Sequence, residues 1–69
     1  SIETNHLRPE HQRLVEQYEA AYVDHLETSE CGDLEDRLET AMHLGQLEAR
    51  MNSAGLQAQL RELHAALRD

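Results

Sequence analysis

Phenylalanine and tryptophan are absent, and the only aromatic rings besides histidine are Tyr18 and Tyr22. A chain of 69 residues without large apolar aromatics can bury little area. Chains this short seldom offset the roughly 1.5 kcal/mol of entropy lost per ordered residue unless a disulfide, a metal or a second subunit helps. Cys31 is the single cysteine, so no disulfide can close within the chain. With no metal cluster readable either, self-association remains, and a homodimer is expected. The lone thiol fits a reducing, cytoplasmic setting.

Lysine is also missing. All six cations are arginines, set against 14 acidic residues for a net charge of -8. Such a chain repels phosphate, which argues against nucleic acid and anionic membrane as direct partners. A basic protein surface is the natural complement, met by electrostatic steering. No run approaches the roughly 18 apolar residues of a membrane span. The first residues, Ser1 to Asn5, are polar and hold no apolar segment of a signal peptide.

Proline occurs once and glycine three times, and they punctuate the chain. Residues 1–8 are polar and read as a flexible N-terminus. Pro9 marks a helix start, since its missing N–H costs nothing in the first turn, and Glu10 suits the positive end of the helix dipole. From there His11, Leu14, Tyr18, Ala21 and His25 form a stripe, broadened by Val15, Tyr22 and Leu26. This predicts an amphipathic helix over about 9–28, with Glu16, Glu19, Asp24 and Glu27 on its outer side. Residues 29–33 read as a turn, in which Gly32 can adopt the left-handed conformation that ends a helix. Asp33 is a good N-cap, with Glu35 and Asp36 in the next helix's first turn. Helices joined by so short a turn are expected to be antiparallel neighbours.

The second half carries a longer stripe. Leu34, Leu38, Met42, Gly45, Ala49, Asn52, Leu56, Leu60, Leu63 and Leu67 recur at threes and fours, as one side of a single helix requires. The segment 52–55 is ambiguous. Gly55 could follow a C-cap, with Leu56 packing back on Met51, giving helices over roughly 9–28, 34–53 and 56–68. Alternatively one helix runs over about 34–68, at a cost of about 1 kcal/mol for the interior glycine. The phase kept from Met42 to Leu67 favours the continuous or merely kinked helix. At 1.5 Å per residue this arm would be roughly 50 Å long against roughly 30 Å for the first helix. Its overhang of four leucines would then need a second chain. A second strip, Leu44, Leu47, Met51 and Ala54, lies on another side. It means either a second neighbour or a place in the middle of a three-helix bundle.

The expected fold is therefore all-α: an antiparallel helical hairpin in one domain over residues 9–69, assembling as a homodimeric bundle. The expected dimer interface is Leu44, Leu47, Met51, Leu56, Leu60, Leu63 and Leu67.

The sequence offers little chemistry. Of the five histidines, His6, His11, His25, His43 and His64, only His6 has a glutamate three residues before it, Glu3, so the two facing Glu-x-x-His pairs of a di-iron bundle are missing. Glu39 with His43, and His6 with Glu10, supply at most two ligands each, fewer than a zinc site takes. His11 and His25 on the inner stripe read as partly buried imidazoles with satisfied hydrogen bonds; the sharper reading is a pH-sensitive seam. Cys31 sits among Glu30, Asp33 and Glu35, which disfavour a thiolate. The three glycines are scattered and form no phosphate loop, and thin helices offer little concavity for an active site. Neither catalytic residues, metal ligands nor cofactors are assigned. The run Gly32-Asp33-Leu34-Glu35-Asp36 resembles the hairpin tip of Gre-type transcript-cleavage factors, where a Gly-Asp-Leu-x-Glu tip enters a channel of RNA polymerase and holds a metal ion. On that likeness Asp33 and Asp36 would be the tip carboxylates. It spans about five residues and departs at Asp36, where the family has Glu. Helix starts favour acids for ordinary reasons, and that is the reading adopted.

Charge is uneven. Residues 1–33 carry eight acids against Arg8 and Arg13, a net -6 of the total -8. The expected partner-binding residues are accordingly Glu16, Glu19, Tyr22, Asp24, Glu27, Asp33 and Asp36. The expected function is a small non-enzymatic regulator that binds and inhibits or modulates a basic protein, such as a nucleic-acid-binding or transcription-related one. By size and charge alone it is like inhibitors, anti-activators and co-chaperones, phage proteins among them. The alternative is a structural dimerisation module with no inhibitory role.

Overall fold

The computed structural model describes residues 2–68. It is all-helical, 82% helix, with no strand among the described residues. Three helices follow one another: α1 (Pro9–Cys31), α2 (Leu34–Ser53) and α3 (Gln57–Arg68).

Helix α1 starts where Pro9 predicts, with Glu10 in its first turn. It runs three residues past the expected end at 28. Thr28 and Ser29 do not break it, because both hydroxyls donate back to carbonyls of the preceding turn, Thr28 to Asp24 O and Ser29 to His25 O. The turn shrinks to Gly32 and Asp33. Gly32 is extended (φ -84°) rather than left-handed. What Gly32 supplies is room: a Cβ there would lie 2.7 Å from Thr28 O. Asp33 caps α2 as expected, its side chain accepting from Asp36 N at 2.9 Å.

The second arm is broken at Gly55, against the continuous helix favoured by its phase. Gly55 is left-handed (φ 76°). Leu56 N donates to Met51 O at 2.9 Å, and Gly55 N to Asn52 O at 3.1 Å. These are the two bonds of a Schellman motif, and they satisfy carbonyls that the end of α2 would otherwise leave open. Leu56 and Met51, the flanking apolar pair of that motif, are both buried. The shared phase does not mark one continuous inner side: Leu34, Leu38 and Met42 of the stripe are exposed, whereas Leu56, Leu60 and Leu63 are buried.

Helices α1 and α2 lie side by side, held near the turn by Thr28, His25 and Thr40, whose side chains meet at 3.1 Å. Helix α3 folds back across this pair and closes one core: Val15, Tyr18 and Ala21 of α1, Leu47 and Met51 of α2, and Leu56, Leu60 and Leu63. Leu44, Ala54 and Leu67 pack on its edge. The N-terminal segment, expected to be flexible, packs there too through Ile2 and Leu7. Leu7 O accepts from Gln12 Nε2 at 2.9 Å. Ser1 lies outside the described residues.

These contacts redirect the expected dimer seam. Leu47, Met51, Leu56, Leu60 and Leu63 are buried within one chain, and Leu44 and Leu67 are half-buried beside them. The four-leucine overhang does not exist once the break at Gly55 turns α3 back. The strip of Leu44, Leu47 and Met51 holds the middle of a three-helix bundle. The stripe of Leu34, Leu38 and Met42 instead faces solvent, at 58% to 67% exposed. Leu38 and Leu47 are nine residues apart, about two and a half turns, which puts them on opposite sides of α2.

Candidate interaction surface

The expected partner-binding residues do not form one patch. Glu16, Asp24 and Glu27 are exposed on α1, and Glu19 is half-buried. At 100° per residue Glu16, Glu19 and Glu27 share a side of α1, with exposed Val23 and Leu26 among them. Asp24 projects from the other flank. It borders a shallow depression of about 420 Å³ floored by Ala21 and Leu47 and rimmed by Gln17, His43 and Arg50. Tyr22 turns inward instead. Asp33 and Asp36 sit at the turn, exposed, joined through the cap.

A feature the sequence reading missed is a ring cluster joining α1 to α3. Tyr18 is fully buried, and its hydroxyl lies 2.6 Å from His64 Nε2. Tyr22 completes the cluster, 5.5 Å from the His64 ring and 6.1 Å from that of Tyr18. Burial, with smaller effects from Glu48 and Tyr22, pushes the Tyr18 hydroxyl up to about 12 from its usual 10. The geometry makes Tyr18 and His64 a core hydrogen bond that fixes the position of α3. The signal in the sequence was that a buried tyrosine needs a partner for its O–H, and His64 lies one position from the Leu60–Leu63–Leu67 stripe.

Of the two inner-stripe histidines, His25 has the satisfied contact expected of it, Nδ1 to Thr40 Oγ1. His11 is half-buried. Cys31 is exposed, its S–H donating to Glu27 O. Among the described residues no three His, Cys, Asp or Glu side chains gather as a metal would need, and no helix is long and apolar enough to cross a membrane.

The surface is therefore distinguished by two things: carboxylates spread over α1 and the turn, and an apolar stripe on the outside of α2. No family model, curated protein or solved structure matches the chain.

Proposed function

We propose that this is a non-enzymatic helical protein that binds a basic surface on another protein and blocks or modulates it. The observation that supports this reading best is the net charge of -8, displayed on carboxylates that remain exposed on α1 and at the turn. The ion pairs Glu3 with His6 at 3.5 Å and Glu10 with Arg8 at 4.0 Å are long and exposed and so neutralise little of it. Charge left outward in this way steers a cationic partner and costs nothing in desolvation until that partner arrives. A transcription-related or other nucleic-acid-binding protein is a suitable target class, because its own ligand demands a basic face. In this reading α1 and α2 form a helical hairpin braced by α3.

The test is affinity capture with tagged protein at low and high salt, followed by a binding assay with the purified target. Glu16→Lys with Glu27→Lys should weaken binding at least tenfold while circular dichroism stays unchanged. Equal binding by that variant would refute electrostatic recognition through α1.

The second reading, a dimerisation module, must now rest on a different surface. Most of its expected seam is occupied within the chain, and among the described residues the outer stripe of α2, with Val23 and Leu26 of α1, is left to offer another copy. Light scattering on the purified chain decides it: a monomer removes that reading.

A further inference from the structure

The bundle is built unevenly along its length. Among the described residues every buried side chain lies in residues 15–21 or 47–63, and none between Tyr22 and Gln46 is buried. Helix α3, with 12 residues, is about 18 Å long and covers only part of the roughly 34 Å of α1. Tyr22 and Leu44 still touch the core, and between them α1 and α2 continue as a two-helix tip. All five exposed large apolar side chains, Val23, Leu26, Leu34, Leu38 and Met42, fall in this tip. So does most of the charge. Asp24, Glu27, Glu30, Asp33, Glu35, Asp36 and Glu39 oppose the single Arg37, a net of -6 with histidines neutral.

We propose that this tip, residues 22–46, is the docking surface for a cationic amphipathic helix of a partner protein. The helix lays its apolar side along Leu34, Leu38 and Met42 and its basic side chains among the carboxylates beside them. The proposal rests on the partner-binding reading above and names the surface and the chemistry that fits it. Leu34, Leu38 and Met42 are spaced by fours, a ridge that a second helix can straddle. Glu35 and Glu39 follow that ridge one position on from Leu34 and Leu38, so an occupant's cations meet acids along its length. A second copy of this chain is the wrong occupant. It would bring a net -6 against a net -6 within the Debye length of about 8 Å. An anionic membrane or a nucleic acid fails for the same reason.

The probe is a labelled 18-residue peptide of leucine and lysine at helical spacing, with a scrambled peptide of the same composition as control. Binding to the full chain is followed by fluorescence anisotropy and by amide shifts. The patterned peptide should bind more tightly than the scrambled one and shift amides of residues 34–42. Binding should weaken as salt rises. The variant Leu34→Gln, Leu38→Gln, Met42→Gln should weaken it about tenfold or more. Those side chains are exposed and glutamine is a good helix former, so helicity should persist. Glu35→Gln with Glu39→Gln tests the charge half separately and should also weaken binding, whereas Glu10→Gln with Glu62→Gln, exposed and outside the tip, should not. Salt-sensitive binding that survives both tip variants overturns the tip while leaving the basic-partner reading intact. No binding of either peptide at low salt overturns both. A dimer that dissociates when Leu34, Leu38 and Met42 are replaced gives the tip to a second copy and overturns the proposal.

Discussion

The two helical-arm glycines should respond in opposite directions to the same substitution. A Cβ added at Gly45 or at Gly55 meets nothing within 4 Å, so crowding plays no part at either site and only the backbone differs. Gly45 lies inside α2, where alanine is favoured over glycine by about 0.5–1 kcal/mol. Gly55 has φ 76°, a conformation that costs an L-residue about 1–2 kcal/mol. Part of that cost is offset because alanine also restricts the unfolded chain, by about 0.4–1 kcal/mol. Gly45→Ala should therefore stabilise by about 0.5–1 kcal/mol and Gly55→Ala destabilise by about 1 kcal/mol. For a domain this size each kcal/mol moves Tm by about 4–8 °C. The two variants should thus melt on either side of wild type, roughly 6–16 °C apart. Thermal unfolding followed by circular dichroism measures this directly. Gly55→Asn should fall between wild type and Gly55→Ala, because asparagine tolerates the left-handed region. If Gly55→Ala raises Tm as Gly45→Ala does, the arm is one continuous helix and the fold-back of α3 is wrong.

Leu63→Ala should cost about 2–5 kcal/mol, since Leu63 is fully buried. Leu38→Ala, on an exposed side chain, should stay within about 0.5 kcal/mol; chemical denaturation compares them, and similar costs would contradict the assignment of inner and outer faces. Tyr18→Phe should destabilise by about 1–2 kcal/mol by leaving His64 Nε2 without its partner, and His64→Phe in that background should cost less than it does alone. Tyr18 also sets an alkaline limit. Its folded value of about 12 lies above the usual 10, so the folded state keeps a proton that the unfolded chain loses. Its contribution is complete below pH 10 and falls as pH rises from 10 towards 12; the slope of stability against pH there should be shallower in Tyr18→Phe. Hydrogen exchange should be slowest at Val15–Ala21, Leu47–Met51 and Leu60–Leu63 and much faster over residues 22–46, and uniform protection would contradict the uneven core.

What the sequence made legible was local. Pro9, Asp33 and the acids after it each act within one turn, and the starts of α1 and α2 fall where those residues put them. The inner side of α1 was legible for the same reason, since Val15, Tyr18 and Ala21 fall on one stripe. Helix α2 was harder because it is apolar on two sides. Leu34, Leu38 and Met42 looked more regular than Leu44, Leu47 and Met51. Periodicity gives a side, not its direction, and only the position of α3 decides which side turns inward. That position hung on Gly55, where a helix interior and a Schellman stop share one residue pattern. The continuous reading of this segment produced the overhang, and the overhang produced the expected seam of Leu56 to Leu67. Tyr18 and His64 are 46 residues apart, a pairing no local pattern announces.

The tip's helicity bears on how a partner would act on it. Without fully buried side chains, its helices are held by their own backbone bonds, the Asp33 cap, the Thr28–His25–Thr40 contacts and, at its base, the packing of Tyr22 and Leu44 on the core. Seven carboxylates on 25 residues oppose this by mutual repulsion, which is strongest in the folded hairpin because folding brings α1 and α2 together. A cationic helix seated on the tip would remove that repulsion and cover Leu34, Leu38 and Met42 at once. Binding and tip order are then linked: whatever free energy the partner gains from the ordered tip reappears as stability of residues 22–46. The base, with its own core, has little to gain. Saturating ligand should therefore slow exchange most in the tip and least at Met51 and Leu63, a gradient that a partner gripping α1 along its whole length would not produce.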